Sequence, residues 1–361
     1  MSTSNIDAHN LSQVAVGGVV REDVLDQIFQ IDIIPLPFTM RIGRDDVDRK
    51  YTEWTIDELE AISITNNNVD GADASGNDAT VANNSRVGNH CQILDKVVRV
   101  SVRADASNTI GRARESVYQL NRRQQALRQD MEATMLSSNN SVSGTDAVAG
   151  ELGGLAAWIE MQTDRDPALA VGAEGYRGAT TGADGGFNTG TSVVDSPTAG
   201  TVRGLSEKMI RDAGQSVYNN GGMPSVLMSR PTVIRNLSEY MFTSSARIAT
   251  MTGNTSVDSG TGSLTAKGSA NVFVTDFGVV LEMVPNRIQQ EEATDNDNVF
   301  IIDPSMVRMG VLRGMQAERL AKNGLAENWQ ISIDMTLKVL NQKSHAVIAD
   351  INDAIAVDAG S

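Results

Sequence analysis

One amphipathic stretch, Asn108 to Leu136, constrains the fold of this sequence most, because the segments around it are dense in Gly, Ser, Thr, Asn and Asp and have little apolar surface to bury. Within it Ile110, Ala113, Val117, Leu120, Leu127, Met131 and Thr134/Met135 recur at alternating steps of three and four, with Gln124 the one gap. That spacing predicts a helix of about 40 Å with a narrow, continuous buried stripe. Ser107 or Asn108 is the expected N-cap. The outward faces carry Arg112, Arg114, Arg122, Arg123 and Arg128. A helix with one side on a sheet and the other free for a neighbour suits the strut of a large assembly better than the wall of a catalytic pocket. Its arginines read either as local pairs with Glu115, Asp130 and Glu132, or as contacts to a neighbour's acids along a subunit seam or to nucleic acid, Arg122 and Arg123 foremost.

The chain of 361 residues is 40% hydrophobic, enough for a core of one elaborated domain or two. Several polar segments lack any period, so much of the chain is expected as arm or loop. The formal charge of -15 argues against a general basic grip on nucleic acid and leaves only loose, local contact with DNA. The single cysteine, Cys91, excludes an internal disulfide framework, fits a reducing cytoplasm and reads as a small buried hydrophobe. The first twenty residues lack a basic stretch followed by a sustained apolar one, and no later segment is long enough to span a bilayer. A soluble protein without an export signal is expected.

Along the chain, Val24 to Met40 reads as an amphipathic turn (Val24, Leu25, Ile28, Phe29) that breaks at Pro35 and Pro37 into extended backbone, the behaviour of an arm. Tyr51 to Ile56 alternates as a strand does, and Val98 to Arg103 is its expected mate across a polar insertion from Thr65 to Asn89. Such a hairpin has little core of its own and must lean on something outside its domain. Leu152 to Met161 is a short apolar anchor, followed by a Gly- and Thr-rich excursion from Gln162 to Thr201. A second folded unit starts near Leu205, with a helix carrying Leu205, Met209, Ile210, Ala213 and Val217 and stopping at the glycines 221 and 222. A buried strand, Val226 to Met228, and a helix with Pro231 in its first turn follow. After a polar break from Thr252 to Ala270, strands are expected at Val272 to Val274, Val279 to Val284, Val299 to Ile302 and Met306 to Leu312. Ile331 to Val339 is apolar at every odd position and polar at every even one, which predicts a strand with one wet face returning to the sheet under the long helix. The fold class is α+β.

No catalytic, cofactor or metal site is expected. His9, His90 and His345 are far apart, and neighbours His90 and Cys91 would point to opposite faces of a strand. The glycines at 150, 153 and 154 and from 182 to 190 do not lie between a buried strand and a helix, as a phosphate loop requires, and no Gly-Lys-Ser/Thr triplet or Gly-x-Ser-x-Gly elbow occurs. The acids at 70, 73 and 78, and at 291, 292, 295 and 297, read as solvated loop charges without the calcium-loop pattern.

Taken together, EDVLDQIFQIDIIPLPF, TEWTIDELEA, VGNHCQILDKVVRVS, YQLNRRQQALRQDMEATMLSSN, GGLAAWI, VYNNGGMPSVLMSRP, VTDFGVVLEMVPNR and ERLAKNGLAENWQISIDMTLKVLNQKSHAVIADI, running from about residue 21 to 351, resemble the major capsid proteins of tailed double-stranded DNA bacteriophages, in particular a short-tailed group. The resemblance implies the Hong Kong 97-like fold. Residues 1–50 would be an N-terminal arm, 51–103 an extended loop overlapping a neighbouring subunit, and 104–204 a peripheral domain with its spine helix at 108–136. Residues 205–300 would be an axial domain meeting its copies around five- and six-fold positions, and 301–361 would return to the peripheral domain. The implied function is self-assembly into the icosahedral head that encloses the phage genome. The implied partners are copies of the chain in pentamers and hexamers, portal and scaffolding proteins, a decoration protein, and packaged double-stranded DNA held by weak, non-specific contact, with no membrane. The virion is the implied location, after synthesis in the host cytoplasm. No removable scaffolding segment precedes the arm, so a separate scaffolding protein is expected, and no motif places a covalent cross-link between subunits.

Three rivals stand beside this reading: an encapsulin-like compartment of the same fold, an α/β enzyme with long surface insertions, and a tail or decoration component. For subunit contacts the expected residues are Trp54, Arg112, Arg114, Arg122 and Arg123. Trp54 reads equally well as a core residue of its own subunit.

Overall fold

The computed structural model describes residues 34–57, 59, 62, 64–65, 67, 69–71, 85–107, 113–160, 176–179, 183–243, 271–289, 296–322 and 324–360. In chain order these contain β1 (Gly43–Asp46), β2 (Tyr51–Ile56), β3 (Ser85–His90), β4 (Gln92–Ser101), α1 (Val102–Ala106), α2 (Glu115–Met135), α3 (Leu155–Trp158), β5 (Gly186–Asn188), β6 (Val193–Asp195), α4 (Glu207–Asn219), β7 (Val226–Ser229), α5 (Pro231–Thr243), β8 (Val272–Val274), β9 (Val280–Pro285), β10 (Asp297–Ile302), β11 (Val307–Arg319), β12 (Ala326–Val339) and β13 (Ala346–Ile351). Strands and helices mix without a regular βαβ alternation, an α+β arrangement. The described strands form a four-stranded sheet of order β1-β11-β12-β4, a five-stranded sheet of order β13-β10-β7-β9-β8, and the hairpins β2-β3 and β5-β6. Of the described residues, those within 97–125 and 318–330 form one compact unit, and the rest form a second.

In the first unit, Ser101 caps α1, its Oγ accepting from the Ala104 N–H at 3.1 Å. Ser107, an expected cap of the long helix, instead ends α1, with its hydroxyl donating to the Arg103 carbonyl at 2.7 Å. Residues 108–112, with Ile110 and Arg112, lie outside the described residues, and the described long helix begins at Glu115. Asp105 takes the capping role there: its carboxylate accepts from the Ser116 N–H at 3.0 Å. This bond first, then the Arg114 guanidinium, holds Asp105 below the usual carboxylate range. An acid brought in by the preceding helix thus does what a residue next to the helix was expected to do.

The second unit holds most of the core. β10 and β13 are buried at every position and pair antiparallel, while β10 also pairs antiparallel with β7 and β7 runs parallel to β9. Helix α4 buries Met209, Ile210, Ala213 and Val217, as its spacing predicts, and Ser206 caps it by accepting from the Met209 N–H at 3.2 Å. Gly221, at φ 81°, supplies the left-handed residue after its end. Pro231 opens α5. Residues 43–46, read from the sequence as the end of an arm, form the strand β1, parallel to β11.

Four expectations are corrected. Tyr51–Ile56 does not pair with Val98–Arg103: β2 lies antiparallel to β3, with Tyr51 opposite His90 and Ile56 opposite Ser85. Residues 98–101 belong to β4, which borders β12, while Val102 and Arg103 are helical. Alternation fixes the face a residue shows but not the strand beside it. The even face of β12 is not wet either. Ser332 and Thr336 are buried, because Arg313 donates to Ser332 Oγ at 2.6 Å and Thr336 donates to the His90 carbonyl at 2.9 Å under the hairpin root.

The buried stripe of α2 is confined to Leu127, Met131 and Met135 and includes Glu132, while Val117 is 51% exposed. Amphipathic spacing permits burial but does not supply the covering layer. Nor do Asp130 and Glu132 serve as local partners of the helix arginines. Asp130 pairs with Lys96 at 2.5 Å and Glu132 is sealed in the core.

Candidate assembly surfaces

The β2-β3 hairpin is fastened at its root, and the described residues just past β2 are bare. Asn89, fully buried at the root, donates from Nδ2 to the Gly153 carbonyl at 3.1 Å and the Leu337 carbonyl at 2.9 Å, while its Oδ1 accepts from the Gly153 N–H at 2.9 Å. Both ends of the side-chain amide are satisfied, which is what makes its burial tolerable. On the opposite strand the Trp54 indole N–H donates to the Val339 carbonyl at 3.1 Å. Its ring lies 5.3 Å from that of Trp158, which in turn stacks 5.9 Å from Phe187. Tyr51 donates from its hydroxyl to the Ser192 carbonyl at 3.0 Å. Trp54 is therefore built into its own subunit.

Beyond the root the character reverses. Leu59, Ile62 and Ile64 are 98%, 97% and 97% exposed. Single exposed apolar residues are ordinary, but three at nearly full exposure so close together in sequence mark a contact surface.

A second fastening lies at Glu132. Its buried carboxylate accepts from the Phe38 and Thr39 N–H groups, both at 3.2 Å, from the Thr39 hydroxyl at 2.9 Å and from Asn286 Nδ2 at 2.7 Å. Four donors offset the cost of dehydrating one charge. They also lock the turn at residues 37–41 onto helix α2.

A third is Asp350, a buried residue of β13 at φ 61°. It accepts from the Gly178 and Gly200 N–H groups at 3.0 and 2.9 Å and from Asn296 Nδ2 at 2.9 Å, and it lies 3.6 Å from the fully buried Arg177 guanidinium.

Among the remaining expected contact residues, Arg112 lies outside the described residues. Arg114 pairs with Asp105 at 3.3 Å, and the Arg122 guanidinium lies 5.9 Å from the centre of the Tyr118 ring. Arg123 is exposed on the same helix. Arg122 and Arg123 therefore share helix α2 and Arg114 immediately precedes it, whereas Trp54 belongs to the aromatic stack of Trp158 and Phe187. On the five-stranded sheet the edge strand β8 exposes Val272 and Val274, beside exposed Val280 and the stacked pair Tyr218 and Phe277, 5.3 Å apart.

Sequence reasoning misses Asn89 and Asp350, and it reads Glu132 as a surface ion-pair partner and not as a buried fastening. Glu132 directly follows the stripe residue Met131, and that one-residue offset was the available signal.

The titratable groups near the hairpin root are dehydrated. Burial, and then Asp334, pushes the Cys91 thiol up to about 11, and burial together with Lys50 lowers His90. Among the described residues no three His, Cys, Asp or Glu side chains are grouped to hold a metal, and no helix is long and apolar enough to cross a membrane.

The SU10 major capsid protein family matches residues 3–352. The major capsid protein of Escherichia phage Phieco32 is 25% identical over 342 residues, covering 86% of this chain and 89% of that protein. Among solved structures, the capsid of the native GTA particle superposes with a TM-score of 0.56 at 10% identity, covering 94% of this chain and 98% of that one. The SrpI encapsulin from Synechococcus elongatus PCC 7942 gives 0.51 at 11% identity, covering 98% of both. These likenesses are of fold.

Proposed function

The chain belongs to the SU10 major capsid protein family and has the Hong Kong 97-like fold of phage shells, and we propose that its copies close into an icosahedral head of pentamers and hexamers around double-stranded DNA. It is a structural component of the virion and not an enzyme. The observation that carries the finer reading is the hairpin with a fastened root and three bare aliphatic side chains beyond it. In this reading residues 51–103 are the loop that overlaps a neighbour. Residues 1–50 are the arm, 104–204 the peripheral domain with its spine helix, 205–300 the axial domain and 301–361 the return. Arg112, Arg114, Arg122 and Arg123 line a seam between subunits. Trp54 acts there through the hairpin root that it stiffens.

Repetition by symmetry turns modest contacts into a stable shell, and weak single contacts permit correction during growth. Scaffolding, portal and decoration proteins are the further partners, and synthesis in the host cytoplasm accords with a chain whose single cysteine is buried. A charge of -15 repels phosphates, so the packaged genome is touched only loosely.

Negative-stain microscopy of the expressed protein, with and without its scaffolding partner, tests the reading. Closed shells that hold DNA support it. Shells filled with protein cargo indicate an encapsulin-like role, and a small discrete oligomer sinks both. Titration of free subunits with DNA at low salt is expected to show little binding, and tight binding overturns the loose-contact reading.

A further inference from the structure

A groove of about 550 Å³ is lined by residues of helix α2, of strands β11 and β12, and of the turn that Glu132 fastens. Its floor is Met131, Met309 and Ile333, all buried, while Met315 is half-buried and Met40, 80% exposed, stands at its mouth. That volume and an apolar lining with few polar groups are the marks of a small-molecule site. Methionine side chains adapt their shape to an apolar guest.

The charges of the lining have one sign. They are Arg44 and Arg128, both exposed, and neither has a carboxylate partner among the described residues. The acids nearest to them in sequence are engaged elsewhere. Asp45 pairs with Arg308 at 2.9 Å, Asp130 pairs with Lys96 at 2.5 Å, and Asp46 lines a separate cavity. Glu132 is enclosed by its four donors, one of them the hydroxyl of the lining residue Thr39. In a chain where 45 acids outnumber 30 bases, two arginines without an acid beside one apolar groove point to an anion from outside.

We propose that this groove is a binding site for an apolar carboxylate of the fatty-acid type, with its hydrocarbon chain over Met131, Met309 and Ile333 and its head group held by Arg44 and Arg128. Guanidinium groups match a carboxylate in geometry as well as charge. The hydrocarbon supplies the area removed from water, and the arginines set its direction in the groove. The site belongs to the free subunit and does not depend on how copies meet in a shell.

Calorimetric titration of the full-length free subunit with decanoate, below its micelle concentration, tests this. Saturable binding of one molecule per chain is expected, about tenfold weaker for octanoate, because each buried methylene contributes roughly a factor of four. Decyltrimethylammonium is the control of opposite sign. A chain of net charge -15 draws the cation more strongly wherever binding is only general, so a preference of tenfold or more for decanoate is the signature of the two arginines. Arg44→Gln with Arg128→Gln keeps the apolar lining and is expected to abolish that preference.

Gly314→Trp tests the place. A side chain added at Gly314 meets nothing within 4 Å beyond its chain neighbours, and Gly314 lines the groove. The variant is expected to keep the subunit's melting temperature and to lose decanoate binding. No saturable binding, preference for the cation, or binding that both Gly314→Trp and the arginine variant leave unchanged overturns the proposal. So does a helical peptide of leucine and glutamate that binds in the groove where decanoate does not, since the groove would then belong to a protein partner.

Discussion

Asn286 donates a 2.7 Å hydrogen bond to the buried Glu132 carboxylate, joining the loop after β9 to helix α2 across 154 positions of sequence. The same carboxylate holds the Phe38 and Thr39 N–H groups, so one side chain ties helix α2, the turn at residues 37–41 and the loop after β9 together. Glu132→Ala leaves these donors dry and unpaired and is expected to cost roughly 3 kcal/mol. Glu132→Gln keeps the shape but turns a donor toward donors, and is expected to recover only part of the loss. Thermal unfolding of the isolated subunit checks both, and an unchanged midpoint for Glu132→Ala would remove Glu132 from this role.

Trp54 serves its own subunit before any neighbour. Trp54→Phe keeps a ring against Trp158 and loses the bond to the Val339 carbonyl, for an expected cost of about 1 kcal/mol. Trp54→Ala also loses the stack and is expected to cost about 3 kcal/mol in subunit stability. Chemical denaturation of subunits, read beside shell yield, separates this from a role confined to assembly, which would lower yield with stability intact.

Asp350 and Arg177 are both fully buried 3.6 Å apart, so removing the carboxylate takes away a charge that faces the guanidinium in a dehydrated site. Asp350→Asn accommodates the left-handed backbone at φ 61° yet removes the negative charge beside the guanidinium. A loss of roughly 3 kcal/mol is expected, measured as a fall in unfolding midpoint that Asp350→Glu does not fully reverse.

Two carboxylates on the four-stranded sheet give opposite pH dependences. Burial raises Asp334, with Arg313 offsetting it in part, and its Oδ1 is buried without a hydrogen-bond partner among the described residues. Its contribution is fully present below the unfolded pKa of about 3.9 and is lost as pH rises through the higher folded value. Asp334→Asn is therefore expected to melt higher than the unmodified chain at neutral pH, with the advantage shrinking toward pH 4. At Asp45 burial pushes upward, but Arg308 and Lys338 outweigh it and the folded value is lowered. Its contribution is present above the unfolded pKa and disappears as pH falls through the lower one, so Asp45→Asn is expected to be the less stable variant at neutral pH. Melting curves from pH 3 to pH 8 decide both, and parallel curves for the two variants would contradict the assignment.

Cys91, with its thiol pushed up to about 11, is expected to resist alkylation at neutral pH while folded and to react at once when unfolded. Mass spectrometry after timed iodoacetamide exposure reads this directly. Rapid labelling of the native subunit would show that the hairpin root is not closed.

Local spacing in the chain already determined the apolar face of α4, the Pro231 start of α5, the glycine stop at 221 and the short strands of the second sheet, since each depends on neighbours within a turn or two. The family was legible too, because its pattern is spread over most of the chain. Tertiary structure alone decided that β2 pairs with β3, that Asp105 caps the long helix, that Ser332 and Thr336 lie inside, and that Glu132 and Asp350 are buried charges. Each of these depends on a partner many residues away. Periodicity reports which side of an element is apolar, but only the assembled fold supplies the donors and covering layers that make a polar side chain stable when buried.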